Sequence, residues 1–182
     1  AREQRNHRDQ EYDDARRHLE FAYRQRPTEP RFASAWLDFL FNVADNEAIN
    51  TALTALPPEF DERAELWVYR GEAALNQGDK DQATRWFEQA LKIGPRRIDA
   101  NNQLAQALRQ AGQSERFERQ TELCKRLARA FRDLSGIYSV LRKQSAQTPD
   151  RKTSLRISSL CTELGWEDEA RAWRLVANST RP

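Results

Sequence analysis

The sequence predicts an all-α solenoid of antiparallel helix hairpins. Gly78 and Gly112 lie 34 residues apart, and each falls between two apolar helical stripes. Pro27 and Pro95 are separated by 68 residues, which is two such periods. No segment of useful length alternates apolar and polar residues as strands do. A fixed period of about 34 residues is typical of repeats that bury their apolar faces by stacking on one another.

The clearest repeat is residues 64–97. Its first stripe ends at Gly78 and its second at Gly94 and Pro95, which predicts two antiparallel helices. Gly94 suits the left-handed residue that closes a helix, and Pro95 cannot continue one. The stripes are Leu66, Trp67, Gly71, Ala74 and Leu75, then Ala83, Trp86, Phe87, Ala90, Leu91 and Ile93.

This segment resembles the tetratricopeptide repeat. The family's spaced pattern of aromatic, small and proline residues is matched by Trp67, Gly71, Ala83, Phe87 and Pro95. Arg70 and Ala74 stand where the family prefers Leu and Tyr. The resemblance implies a right-handed superhelix, in which Gly71 lies where two helix backbones approach closely and Phe87 fills the space beside them.

The same period divides the segments before this repeat. Residues 1–28 fit the second helix of a partial unit that ends at Pro27, and residues 29–63 fit a full unit that closes at Pro57 and Pro58. After the clearest repeat, the pattern continues less regularly.

Residues 98–131 repeat the pattern weakly and lack a closing proline, so their second helix is free to run long. The extra length before the last unit, 150–182, predicts an inserted helix at 132–149, bounded by Gly136 and the turn at 148–150. Together the units make one predicted domain over 1–182, with about four to five hairpins. Because the chain starts with Ala and contains no Met, we expect a fragment of a longer bacterial protein.

Composition excludes several classes of protein. Hydrophobic residues make up 38% and charged residues 32% of the chain, which favours a folded, soluble protein. No run approaches the roughly 18 apolar residues of a spanning helix, and no signal peptide is visible. The compartment stays open, cytoplasmic by default or exported if a signal was trimmed. The net charge of +2 implies no strong field for polyanions.

Catalytic and metal-binding groups are scarce. His7 and His18 have no carboxylate or cysteine partner at ligand spacing, and Cys124 and Cys161 make neither a disulfide framework nor a metal site by themselves. No glycine-rich phosphate loop or nucleophile motif occurs. We therefore predict a non-enzymatic protein without cofactor or metal.

The family resemblance implies a concave groove, lined by the first helix of each hairpin, that holds a peptide or a partner helix. Transferring the family's groove positions to this chain predicts the partner-binding residues Leu37, Leu40, Phe41, Glu65, Val68, Glu72, Asn76, Asp99, Asn102, Gln106 and Arg109. The Lys and Asn clamp by which some family members hold a terminal carboxylate is absent, since its places hold Ala33, Leu37, Tyr69, Asp99 and Gln103. Acidic groove residues favour a basic or amide-rich peptide instead.

Two alternatives stay open. Residues 116–156 are rich in Arg and Lys, and this face is a candidate for polyanion or nucleic-acid binding. Residues 31–44 are apolar on nearly every face, which suits either burial beneath neighbouring helices or a self-associating patch. The identity of a partner cannot be predicted from the sequence.

Overall fold

A computed structural model describes residues 2–143 and 149–179 of the chain. No strand occurs within these ranges, and the predicted all-α class is confirmed. A short 3₁₀ helix spans Pro58–Glu62. The α-helices are α1 (Arg2–Gln25), α2 (Pro30–Asn42), α3 (Asn46–Ala55), α4 (Ala64–Asn76), α5 (Lys80–Ile93), α6 (Ile98–Gln110), α7 (Ser114–Lys143), α8 (Arg151–Leu164) and α9 (Glu167–Ser179).

The chain divides into two compact units, Ala1–Ile93 and Gly94–Pro182. The first contains α1 to α5, and the second contains α6 to α9. That the whole chain forms a single domain stays a prediction.

Helices α4 and α5 form the tightest hairpin of the first unit, at the predicted clearest repeat. Phe87 is fully buried, and a Cβ atom added at Gly71 would lie 2.4 Å from the Phe87 ring. Ala83 and Ala90, one turn either side of Phe87, are also fully buried. These small residues let the two helices approach closely, as the family resemblance implies.

Helix α2 lies in the core of the first unit. Its residues pack against Leu19 and Tyr23 of α1 and against Ile49 and Leu53 of α3. The side chains that α2 buries are Ala33, Trp36, Leu37 and Leu40. Burial against α1 and α3 explains why residues 31–44 are apolar on more than one face, because a helix that is apolar all round is usually buried.

Three glycines adopt the left-handed conformation that the turns require. Gly78, Gly112 and Gly165 have φ of 80°, 72° and 77°, so each ends a helix at little steric cost. Gly94 is not among them, and the prediction of a left-handed residue there is wrong. The proline that follows Gly94 restricts it towards extended backbone, which ends the helix equally well.

The separate inserted helix predicted at 132–149 is also wrong where the chain is described. Residues 132–143 continue α7, which runs unbroken for 30 residues through Gly136. One glycine costs a helix only about 1 kcal/mol relative to alanine. The apolar face that α7 carries on both sides of Gly136 outweighs this cost, because it is covered by neighbouring helices. Residues 144–148 lie outside the described residues.

Helix α7 serves two sets of neighbours within the second unit. Its beginning pairs with α6, where the side-chain amide of Gln120 donates to Asn101 Oδ1 at 2.7 Å. Its later part packs against α8 and α9 around a core that includes Leu127, Leu134 and Ile157. Arg126–Glu163 and Arg156–Asp133 ion pairs show that α8 runs antiparallel to α7. The ring contacts Phe131–Trp166 and Tyr138–Trp173 show that α9 runs parallel to it.

Candidate functional site

The predicted groove residues of the first unit fall into two groups. Leu37, Leu40 and Val68 are buried, with exposed fractions of 2%, 0% and 7%. They fill the core between helices and offer no surface to a partner, so their prediction as contact residues is corrected. The other four, Phe41, Glu65, Glu72 and Asn76, are half-buried or exposed.

The accessible residues border a face formed by α2 and α4. The rings of Phe41 on α2 and Tyr69 on α4 stack with centroids 5.9 Å apart. The Tyr69 hydroxyl donates a hydrogen bond of 2.8 Å to Asp38 Oδ1 across the two helices. Glu65 and Glu72 lie four residues before and three residues after Tyr69 on α4, which places all three on one side of that helix. We call this surface, Asp38, Phe41, Glu65, Tyr69 and Glu72, the α2–α4 face.

This face is negatively charged around an aromatic centre. Burial, the hydrogen bond to Asp38 and the charges of Asp38 and Glu72 together raise the pKa of Tyr69 well above its ordinary value. Tyr69 therefore stays neutral beside the carboxylates of Asp38 and Glu72, and Glu65 lies one turn earlier on the same side of α4. Tyr69 was not among the predicted contact residues. The sequence pattern around Trp67 and Gly71 predicts a helix, but it does not show which side of that helix other helices cover.

The predicted groove residues of the second unit all lie exposed on α6. Asp99, Asn102, Gln106 and Arg109 follow one another at spacings of three or four residues and share one side of the helix. Burial opposes ionisation of Asp99, but hydrogen bonds and the charge of Arg97 outweigh it and lower the pKa of Asp99. No observation tests whether a partner contacts this row, so the assignment stays a prediction.

Arg70, which departs from the family pattern, has a structural role. Its guanidinium carbon lies 4.7 Å from the ring centroid of Trp67 and 5.8 Å from that of Trp86. It also pairs with Asp61 at 3.5 Å, while Trp67 Nε1 donates to the Asp61 carbonyl at 2.9 Å. Arginine stacked on aromatic faces covers apolar surface as a leucine would, so the substitution preserves packing on this side of the hairpin.

Within the described ranges, no three His, Cys, Asp or Glu residues lie close enough to hold a metal ion. His18 is exposed, and the side chain of His7 is outside the described part of the chain. Burial raises the pKa of the Cys124 and Cys161 thiols, which disfavours the reactive thiolate at neutral pH. None of the described helices is both long and apolar enough to span a bilayer.

The basic face at 116–156 is partly neutralised by carboxylates within it and beside it. Several of its cations form ion pairs, namely Arg119–Glu115, Lys125–Glu122, Arg126–Glu163 and Arg156–Asp133. Polyanion binding by this segment and self-association through residues 31–44 both stay predictions.

Comparison with known proteins agrees with the family resemblance. Residues 64–97 match the family model described as tetratricopeptide repeat, which confirms that resemblance for the segment. Two crystal structures of MamA share the fold, each with a TM-score of 0.57, 15% sequence identity and 96% of this chain covered. The match covers 85% of one MamA chain and 91% of the other. At this identity the likeness shows the fold alone. No curated protein sequence matches the chain.

Proposed function

We propose that this chain is a non-catalytic protein-interaction scaffold, because residues 64–97 match the tetratricopeptide-repeat model. It binds a basic or amide-rich peptide segment of a protein partner on the α2–α4 face. The observation that carries the proposal is the stacked Phe41–Tyr69 pair with carboxylates on both helices around it.

The chemistry of this face suits a lysine or arginine side chain. A cation over an aromatic ring gains about 0.5–1 kcal/mol at an exposed site. Asp38, Glu65 and Glu72 add charge complementarity, which steers association and disfavours acidic peptides. Asn76, exposed at the end of α4, adds an amide that can both donate and accept hydrogen bonds along a peptide backbone.

Fluorescence anisotropy with labelled peptides tests the proposal. A peptide with two lysines in a neutral, glutamine-containing background should bind, and the same peptide with glutamates should not. Glu65→Gln and Glu72→Gln should each weaken binding up to about fivefold, because an exposed ion pair contributes about 0.2–1 kcal/mol. Phe41→Ala should weaken it by a similar factor through the loss of ring contact.

The matched control is Glu47→Gln, which removes an exposed carboxylate from α3 rather than from the α2–α4 face. It should leave the affinity unchanged. Equal binding of the lysine and glutamate peptides, or equal losses in Glu47→Gln and Glu72→Gln, would contradict the proposed face.

A further inference from the structure

A cleft in the second unit has the opposite charge. It is an open cleft of about 590 Å³. Its lining comprises Arg96, Arg126, Arg174 and Glu163, together with Leu155, Ser158, Ser159 and Thr162. Three guanidinium groups face one carboxylate, which leaves two positive charges in the lining. Arg126 belongs to the basic segment 116–156 that the sequence marks, but its juxtaposition with Arg96 and Arg174 was not predicted.

One end of the cleft is built around the last turn of α8. Arg96 Nη1 donates to the Glu163 backbone carbonyl at 3.2 Å, and Arg126 Nε lies 3.5 Å from Glu163 Oε1. The Arg96 stem also lies so close to Gly165 that a Cβ atom added there would be 2.8 Å from Arg96 Cγ. Arg96 is therefore held in place and caps the helix, whereas Arg126 remains 60% exposed and able to contact another group.

The other end of the cleft carries Arg174 of α9, which is exposed. The hydrogen bond from Ser158 Oγ to the Ala170 carbonyl, at 2.7 Å, fixes α9 beside α8 and thereby places Arg174 near the level of Leu155. From Leu155 to Thr162 the helix rises about 10 Å. The exposed hydroxyl side chain of Ser159 lies between these levels.

We propose that this cleft binds an extended acidic peptide segment with two carboxylates about 10 Å apart, one near Arg126 and one near Arg174. Three residues of a polyproline II chain span about 9 Å and complete one turn, so acidic residues at positions i and i+3 lie on the same side of the peptide and fit the two ends. Arginine pairs with carboxylates through a planar fork of donors, and the excess positive charge favours an anionic partner over a neutral one. The site is distinct from the α2–α4 face, which takes the opposite charge.

Anisotropy with a labelled peptide that carries two glutamates three positions apart tests this inference. Arg126→Gln and Arg174→Gln should each weaken binding about three- to fivefold, and the double variant by about the product of the two. Arg174→Lys should recover only part of the affinity that Arg174→Gln loses, because lysine keeps the charge but not the planar fork of donors. Raising the ionic strength from about 0.05 to 0.5 M should weaken the wild-type complex.

Two control variants remove other arginines from the same helices. Arg119→Gln on α7 and Arg171→Gln on α9 break surface pairs with Glu115 and Asp168 and should leave binding unchanged. Replacing the peptide glutamates with glutamine should abolish binding without altering the protein. The Glu65→Gln and Glu72→Gln variants should bind the acidic peptide normally, which separates this site from the proposed function.

Equal affinity for the glutamate and glutamine peptides would overturn the inference, as would losses in the control variants that match those in the cleft variants. Tighter binding of a single-stranded oligothymidylate than of the acidic peptide, lost in Arg126→Gln and Arg174→Gln, would also overturn it and assign the cleft to nucleic acid.

Discussion

Replacing Gly71 by alanine should destabilise the first unit, although alanine is the better helix former. Gly71 lies inside α4, where exchange for alanine alone would stabilise the helix by about 0.8–1 kcal/mol. The added Cβ would lie 2.4, 2.6 and 2.7 Å from three carbon atoms of the Phe87 ring. Ordinary contacts between carbon atoms are about 3.5–4.0 Å, so either the ring or the helix must move by about 1 Å.

Phe87 has no room for that movement, because it is fully buried. Overpacking of this kind costs about 1–3 kcal/mol, with larger costs where the surroundings are rigid. Because the contact distances lie far below normal, we expect a steric cost of about 2–3 kcal/mol. After the gain in helix propensity of about 1 kcal/mol, the net loss is about 1–2 kcal/mol. Urea denaturation followed by circular dichroism measures it as a lower midpoint at unchanged slope.

Gly136 supplies a matched control in the same chain. It also lies inside a helix, α7, but a Cβ atom added there would meet no atom within 4 Å. Gly136→Ala should therefore stabilise the protein by about 0.5–1 kcal/mol. A double-mutant cycle with Phe87→Leu should reduce the cost of Gly71→Ala, since the shorter side chain leaves space. Stabilisation by both glycine substitutions would refute the reasoning.

Three further predictions concern single side chains of the first unit. Asp45→Ala should cost about 1 kcal/mol in urea denaturation, because Asp45 accepts the hydrogen bond that caps α3, and Asp45→Asn should cost less. Arg70→Ala should also cost about 1 kcal/mol through lost stacking on Trp67, with a smaller loss in Arg70→Lys; no loss in either would contradict the packing role. The folded protein holds the Tyr69 proton more tightly than the unfolded chain, so this group should contribute no pH dependence below about pH 10 and should destabilise the fold increasingly above it. Comparison with Tyr69→Phe isolates that contribution, and identical alkaline profiles would count against it.

The hairpins could be predicted because their signals are local. Gly78 and Gly112 end helices in the left-handed conformation, and a proline after Gly94 stops α5, so each turn is determined by one or two neighbouring residues. The close approach at Gly71 and Phe87 was likewise expected, since a small residue at a fixed spacing has a direct packing reason. The departure at Arg70 could not be explained until its two tryptophan neighbours were located.

The remaining features depend on contacts between residues far apart in sequence. Periodicity shows that Leu37 and Val68 lie on helices but not which side the neighbouring helices cover, so their burial was not predicted. Gly136 was predicted to be a helix boundary. The apolar contacts that stabilise α7 around it come from α8 and α9, and local sequence does not show them. The arginine cleft draws Arg96, Arg126 and Arg174 from three elements, and no run of charge in the sequence brings them together.

The length of α7 determines which segment of this protein can be transferred to another protein as a unit. A 30-residue helix is about 45 Å long, and its two halves complete different sets of neighbours. Deleting residues 98–131 as a modular repeat would remove α6 and the first part of α7, and would take Leu127 and Ala130 out of the cluster that contains Leu134 and Ile157. Duplicating them would interrupt α7 after residue 131. The smallest segment that evolution or design could transplant with its interior complete is therefore the whole stretch from α6 to α9.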